Sequence, residues 1–170
     1  VLDRDGCELW AADSGGTGVP VVFSHGAGAD SAMFAPQFEA LVAAGYRVIA
    51  WDLRGHGRSR PAAHRITPDL AVGDLLALID HLGVDRPVLV GQSLGGNLSQ
   101  AVVRRAPGAA RALVVIGSAW NTGPLSWSER LLLRLAAPSL AVIPAGRLPR
   151  IMADASAVTE DARRYAETAF

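Results

Sequence analysis

The chain has no lysine, one cysteine and no excess of charge. All 16 of its basic residues are arginine, set against 16 acidic ones, so neither a nucleic acid nor an acidic membrane surface is implied as a partner. With the many Ala and Gly residues, the arginine usage is a compositional bias with no functional content. Cys7 alone cannot form an internal disulfide, so the fold does not rely on an oxidising compartment. His25, His56, His64 and His81 show no H-x-x-x-H pair and no Cys/His ligand spacing, so no metal is expected. No apolar run reaches the ~18 residues of a membrane span, because Arg134 and Pro138 interrupt the longest candidate. No charged segment followed by an apolar stretch opens the chain, so no signal peptide is visible, and Val1 in place of Met leaves room for an upstream segment. The expectation is a cytoplasmic protein with no cofactor.

What is present is organised around Val88–Gly96, VLVGQSLGG. Val88-Leu89-Val90 has the make-up of a buried parallel strand and runs directly into Gly91-Gln92-Ser93-Leu94-Gly95. Ser93 therefore falls at a strand-to-helix bend. Such a bend strains its middle residue and needs positions two before and two after without a Cβ, which Gly91 and Gly95 supply. The hydroxyl would be lifted above the strand end, and the Leu94 N–H would open the next helix facing any oxyanion formed there.

At 170 residues, 50% of them hydrophobic, the chain can bury a substantial core. Alternation from Asp3 to Asp13 around Asp5-Gly6 predicts an antiparallel hairpin. Val19–Phe23, Tyr46–Trp51 and Leu113–Ile116 are further buried strands. Between them come helices with Phe34, Phe38, Leu41 and Val42, then Leu75, Leu78, Ile79 and Leu82, then Leu94, Leu98, Ala101 and Val102, on their apolar faces. Gly45 and Gly83 stop the first two, and Thr67-Pro68-Asp69 reads as N-cap, first-position proline and dipole-matched acid. The order β-α-β-α-β-α-β with right-handed crossovers gives a parallel α/β sheet with helices on both faces. Past Asn121 the character changes: Ser126-Trp127-Ser128-Glu129 fits a capping box opening a helix through Leu131 to Leu135, Pro138, Pro144 and Pro149 divide the next stretch into short pieces, and Thr159-Glu160-Asp161 starts another helix.

GQSLG after a strand, Ser24-His25-Gly26-Ala27-Gly28 after an earlier strand, and Asp52-Leu53-Arg54-Gly55-His56-Gly57-Arg58-Ser59 after the one between resemble, in order and separation, the motifs of the α/β-hydrolase family. The resemblance covers Val21 to about Ser118 and implies a mostly parallel sheet with an N-terminal antiparallel hairpin over residues 1–120. Residues 121–170 resemble the start of a helical cap, with Leu131, Leu132, Leu133, Leu135, Leu140, Val142 and Ile143 lining a substrate entrance or packing on the core. It further implies Ser93 as catalytic nucleophile, the Ala27 and Leu94 N–H groups as oxyanion hole worth about 3–4 kcal/mol per donor, and a structural role for Asp52, Arg54 and His56. The implied partner is a small, hydrophobic, ester-like substrate.

One departure stands out. Family members carry an acid and then a histidine after the nucleophile, and this sequence has no histidine after Ser93. Without a base the hydroxyl is a poor nucleophile. The four earlier histidines are not natural replacements, and Asp154, Glu160, Asp161 and Glu167 fall in the cap segment. Either the protein is a non-catalytic relative, or the chain is the N-terminal portion of a longer one whose remaining sheet carries the acid and histidine. The last helix has no stop signal, the strand count falls short of a complete sheet of the family, and a terminal Leu113 strand would be left unpaired on one side. These favour the second reading, in which the 170 residues alone lack turnover.

The leading function is serine hydrolysis of a carboxylic ester or related acyl compound through an acyl-enzyme on Ser93. Carbon–carbon bond hydrolases and cofactor-free haloperoxidase-like enzymes share the scaffold, whereas Ser at the elbow excludes the Asp nucleophile of dehalogenases and epoxide hydrolases of this fold. From a different class, Gly26-Ala27-Gly28-Ala29-Asp30-Ser31 could be a dinucleotide-binding turn with Asp52 on the ribose, though Ser31 stands where a third glycine belongs.

Overall fold

The computed structural model describes residues 1–61, 67–119 and 126–128 together with Leu131 and Arg134. It divides into two compact units, Val1–Asn121 and Thr122–Phe170.

The first unit opens on a hairpin of β1 (Leu2–Arg4) and β2 (Cys7–Leu9), with Leu2 opposite Leu9. Asp5 and Gly6 have φ of 50° and 72°, the mirror-image turn whose twist suits paired strands and which Asp-Gly favours. The hairpin expected to continue to Asp13 is interrupted at Trp10. The Trp10 N–H donates to Ser59 Oγ (2.9 Å) and its carbonyl accepts the Asp52 N–H (3.0 Å). Its backbone is thus committed to the loop after β5, and β3 (Ala11–Asp13) leaves the hairpin to pair antiparallel with β5 (Arg47–Trp51).

β4 (Pro20–Ser24), β5, β6 (Val88–Gln92) and β7 (Ala112–Ile116) are parallel, and the five-stranded sheet runs β3-β5-β4-β6-β7. Successive side chains alternate between its faces. Val22, Ile49, Trp51 and Leu89 pack with α2 (Pro68–His81) and α3 (Leu94–Arg105). Val21, Phe23, Val48, Ala50 and Val90 pack on the other face with Phe34, Phe38 and Leu41, from the 3-10 turn Ser31–Phe34 and α1 (Ala35–Ala43). Both faces of β4, β5 and β6 are covered, which is why these strands read as continuous apolar runs, whereas β7, expected to be buried as well, alternates between exposed and half-buried residues.

The local signals work as the chemistry requires. Thr67 Oγ1 accepts the Leu70 N–H (3.2 Å) and Pro68 takes the first helical position, where no N–H is needed. Gly45 and Gly83, with φ of 86° and 59°, supply the left-handed residues that end α1 and α2. Two side chains depart from their expected faces: Val42 of α1 is 39% exposed, and Leu94 is 40% exposed, not buried with Leu98 and Val102. The second is the one that bears on the site. It lies in the first turn of α3, above the strand ends, and borders a cavity. Among the described residues β7 pairs only with β6, and its Val114 and Ile116 are exposed.

In the second unit Trp127, Ser128, Leu131 and Arg134 are helical, and Ser126 Oγ lies 3.0 Å from Ser128 Oγ. Glu129 of the expected capping box, Leu132, Leu133, Leu135, Leu140, Val142, Ile143 and the helix expected from Thr159 lie outside the described residues. So do His64, Asp154 and Glu167. Among the described residues no helix is long and apolar enough to cross a membrane, and no group of His, Cys, Asp or Glu could hold a metal ion.

Candidate active site

Three neighbouring parallel strands end level with one another. Ser24 of β4 is in register with Trp51 of β5 and with Gly91 of β6. The loops at their ends, His25–Asp30, Asp52–Ser59 and the turn at Ser93, therefore meet over the carboxyl edge of the sheet, where ligands bind in open α/β folds.

Ser93 has φ 50° and ψ −113°, a backbone conformation that costs a non-glycine residue on the order of 1–3 kcal/mol. Its surroundings over-determine it. The Ser93 N–H donates to Ile116 O (2.9 Å), while Ser93 O accepts from the Asn97 N–H (3.0 Å) and from Ser118 Oγ (2.7 Å). The flanking glycines are steric necessities. A Cβ on Gly91 would run into the Gly95 backbone, and one on Gly95 would strike the Ser24 carbonyl oxygen and lie 2.7 Å from His25 O. The Ser93 hydroxyl makes no side-chain cap bond to its own helix, and the residue is half-buried.

Ala27 is exposed, in the turn closed by the Ala29 N–H donating to Gly26 O (3.3 Å). Among the described residues neither the Ala27 nor the Leu94 N–H donates to a protein acceptor. Leu94, as first residue of α3, has an N–H that the helix itself cannot satisfy. Both residues line a cavity of about 650 Å³ between the sheet end, α2 and α3, which His56, Asn97 and Leu98 also border.

His25 is fully buried and both ring nitrogens are in use: Nδ1–H donates to Gly26 O (2.7 Å) and Nε2 accepts the Leu53 N–H (2.9 Å). Burial is the main cause that holds its pKa below the ordinary 6.5, against the Gly26 hydrogen bond. It is a neutral brace between two loops and has no lone pair left for Ser93. His56 places Nδ1 3.1 Å from Arg54 O and its ring 5.2 Å from that of His25, and also faces the cavity. His81 is exposed at the end of α2. No described histidine hydrogen-bonds Ser93.

Asp52 and Arg54 tie the loops together. Asp52 Oδ1 accepts the Ser31 N–H (2.7 Å), Oδ2 the Arg58 N–H (2.8 Å), and Asp52 O the Ser59 hydroxyl (2.6 Å). With its carboxylate buried and occupied, Asp52 has nothing to offer a ribose, so the dinucleotide alternative fails on geometry. Arg54 grips Asp74 through Nε and Nη2, both at 2.8 Å, and Nη2 also donates to Arg4 O (2.8 Å).

Two residues at the site escape sequence reading. Asn97 comes one helical turn after Ser93 on the cavity side of α3; its signal is a polar residue in register with Leu94, Leu98 and Ala101. Ser118, whose hydroxyl would collide with a Cβ on Gly96, leaves no local signal, because its partner is fixed only by the pairing of Ile116 with Gln92.

Comparison with known proteins bears on the fold. Residues 19–157 match a family model described as alpha/beta hydrolase fold. A non-heme haloperoxidase of Rhodococcus erythropolis is 40% identical over 119 residues, covering 69% of this chain and 43% of that protein. An epoxide hydrolase of Caballeronia sordidicola is 45% identical over 82 residues, 47% of this chain and 25% of that protein. Among solved structures, a thermophilic esterase from Thermogutta terrifontis superposes with a TM-score of 0.77 at 27% identity, covering 98% of this chain and 62% of that one. The matched segments span less than half the length of these curated relatives.

Proposed function

The chain belongs to the alpha/beta hydrolase fold family, and from that premise we propose that it carries the nucleophile and oxyanion hole of a serine hydrolase acting on carboxylic esters or related acyl compounds. The observation that carries the reading is Ser93 held at φ 50° directly before Leu94, whose amide, like that of Ala27, donates to no acceptor among the described residues.

In the reaction, Ser93 Oγ attacks the acyl carbonyl carbon while its proton passes to a histidine. The Ala27 and Leu94 N–H groups receive the oxyanion, which is what free, preorganised donors at a helix N-terminus are suited to do. Collapse expels the alcohol, which takes the proton from the histidine, and leaves an ester on Ser93. Water, deprotonated by the same histidine, then releases the carboxylic acid and restores the hydroxyl.

The histidine and its acid partner are assigned to sequence beyond Phe170, because the family order places both after the nucleophile and no histidine follows Ser93 here. The 170 residues alone accordingly lack turnover. Thr122–Phe170 forms a unit of its own, which we assign as the start of a helical cap. The substrate is small and hydrophobic, in keeping with the apolar share of the cavity lining, and the protein works in the cytoplasm, in keeping with a buried free Cys7. The similarity to the haloperoxidase favours, as a second reading, a cofactor-free haloperoxidase-like activity at the same serine. The similarity to an epoxide hydrolase is not carried over, since Ser stands where that chemistry uses Asp.

The test is hydrolysis of p-nitrophenyl esters by the whole protein. Turnover that disappears in Ser93→Ala is expected, and turnover surviving that change would refute the assignment.

A further inference from the structure

Gly91 and Gly95 account for the bend at Ser93, but two neighbours of the elbow are left over: Gly96, which closes the VLVGQSLGG stretch, and Ser118, just past the end of β7. They belong together. A Cβ on Gly96 would strike Ser118 Oγ and come within 2.9 Å of Ser118 Cβ, so the bare glycine leaves the space in which the hydroxyl sits. Gly117, at φ 58°, turns the chain directly after β7 and returns Ser118 toward the elbow. The hydroxyl has one proton to give and two carbonyls in reach, Ser93 O at 2.7 Å and Ile116 O at 3.4 Å. The shorter contact takes it.

Ser93 O is one end of a planar trans peptide whose other end is the Leu94 N–H. Whatever holds the oxygen therefore aims the hydrogen. The oxygen has two lone pairs and both are used, by the Asn97 N–H at 3.0 Å within the helix and by the Ser118 hydroxyl from outside it. As first residue of α3, Leu94 has an N–H with no helical acceptor, so only the carbonyl end can fix this peptide's tilt. Donation to the carbonyl also polarises the peptide and strengthens its N–H as a donor. The other amide is arranged alike: Gly26 O, across the peptide from the Ala27 N–H, accepts His25 Nδ1–H at 2.7 Å and the Ala29 N–H at 3.3 Å. That peptide lies against the elbow, since a Cβ on Gly26 would be 3.5 Å from Ser93 Cβ.

We propose that Ser118 is a positioning residue for the reaction at Ser93, aiming the Leu94 N–H at the developing oxyanion through the Ser93 carbonyl, in the space that Gly96 provides. The proposal rests on the roles assigned above to Ser93 and Leu94. Because Ser118 acts through the peptide, its removal weakens stabilisation of the transition state and leaves ground-state binding alone.

The experiment measures kcat and KM of the whole protein for p-nitrophenyl butyrate in Ser118→Ala and, for comparison, in Ser99→Ala, with active sites counted by fluorophosphonate titration so that unfolded molecules do not enter kcat. Ser99 is fully buried and its Oγ also donates to a carbonyl of α3, Gly95 O at 2.9 Å, but that peptide carries the Gly96 N–H and not an oxyanion amide. Losing an oxyanion donor outright costs about 10²–10³ in kcat; a donor that is present but misaimed should cost about tenfold, with KM within about twofold. Ser99→Ala should leave both constants within about twofold. A trifluoromethyl ketone, whose adduct with Ser93 carries an oxyanion, should inhibit Ser118→Ala more weakly by the same factor that kcat falls. A kcat unchanged within about twofold in Ser118→Ala, an equal loss in Ser99→Ala, or a change confined to KM overturns the proposal. Failure of the serine reading is distinguishable. Turnover surviving Ser93→Ala refutes that reading and the role of Ser118 with it, whereas turnover abolished by Ser93→Ala and untouched by Ser118→Ala refutes the positioning role alone.

Discussion

Removing the Asp74 carboxylate should be among the most damaging changes available outside the elbow. Asp74 is fully buried, and its two oxygens accept Arg54 Nε and Nη2 at 2.8 Å each, with Arg4 Nε at 3.2 Å. Asp74→Ala leaves the Arg54 guanidinium, itself 1% exposed, charged and buried with only Arg4 O as a remaining partner. Breaking one side of a buried pair costs about 3–5 kcal/mol, because the other charge stays desolvated. Against a total stability of about 5–15 kcal/mol, that is a large fraction. Urea unfolding followed by tryptophan fluorescence should show the midpoint falling accordingly with the slope unchanged. Two comparisons sharpen the result. Asp69→Ala breaks the Arg105 pair at 3.5 Å, whose side chains are 94% and 59% exposed, and removes an acid from the first turn of α2, so it should cost no more than about 1 kcal/mol. Arg54→Met combined with Asp74→Leu removes both charges and should recover most of the loss. A cost below about 1 kcal/mol for Asp74→Ala, the level of an exposed pair, would refute the reasoning.

Ser93→Gly should raise stability by about 1 kcal/mol, since glycine accepts φ 50° without strain; a thermal melt showing destabilisation would contradict the strained elbow. Gly95→Ala drives a Cβ into the Ser24 carbonyl and should cost about 1–3 kcal/mol or more and abolish esterase activity, read by melting and by p-nitrophenyl ester turnover. His25 has its pKa lowered in the folded state, so the unfolded chain takes up the proton first. Its contribution is complete above about pH 6.5 and lost as pH falls below that value toward the folded pKa, and a His25→Phe variant should show a shallower loss of stability over that interval in denaturant titrations across pH.

The sheet was legible because its code is local. Val21–Phe23, Val48–Trp51 and Leu89–Val90 are apolar on both faces, and Gly45, Gly83 and Thr67 act within their own turns. The elbow could be read for the same reason, since Gly91, Ser93 and Gly95 constrain one another across five residues of sequence. What escaped depends on distant pairing. The hairpin stops at Trp10 because Ser59 and Asp52 claim its backbone, and they are more than 40 residues away. Ser118 reaches Ser93 only through the register of β7 on β6, and Leu94 is exposed because the helix starts above the strand ends, not within the packed layer.

The central claim is that the Ser93 hydroxyl is an activated nucleophile next to free amides. A fluorophosphonate probe incubated with the whole protein, followed by peptide mass spectrometry, tests it most directly. The account predicts one phosphonylated residue, Ser93, and no adduct in Ser93→Ala. An unmodified Ser93 in folded protein, or equal labelling of the two proteins, would contradict it.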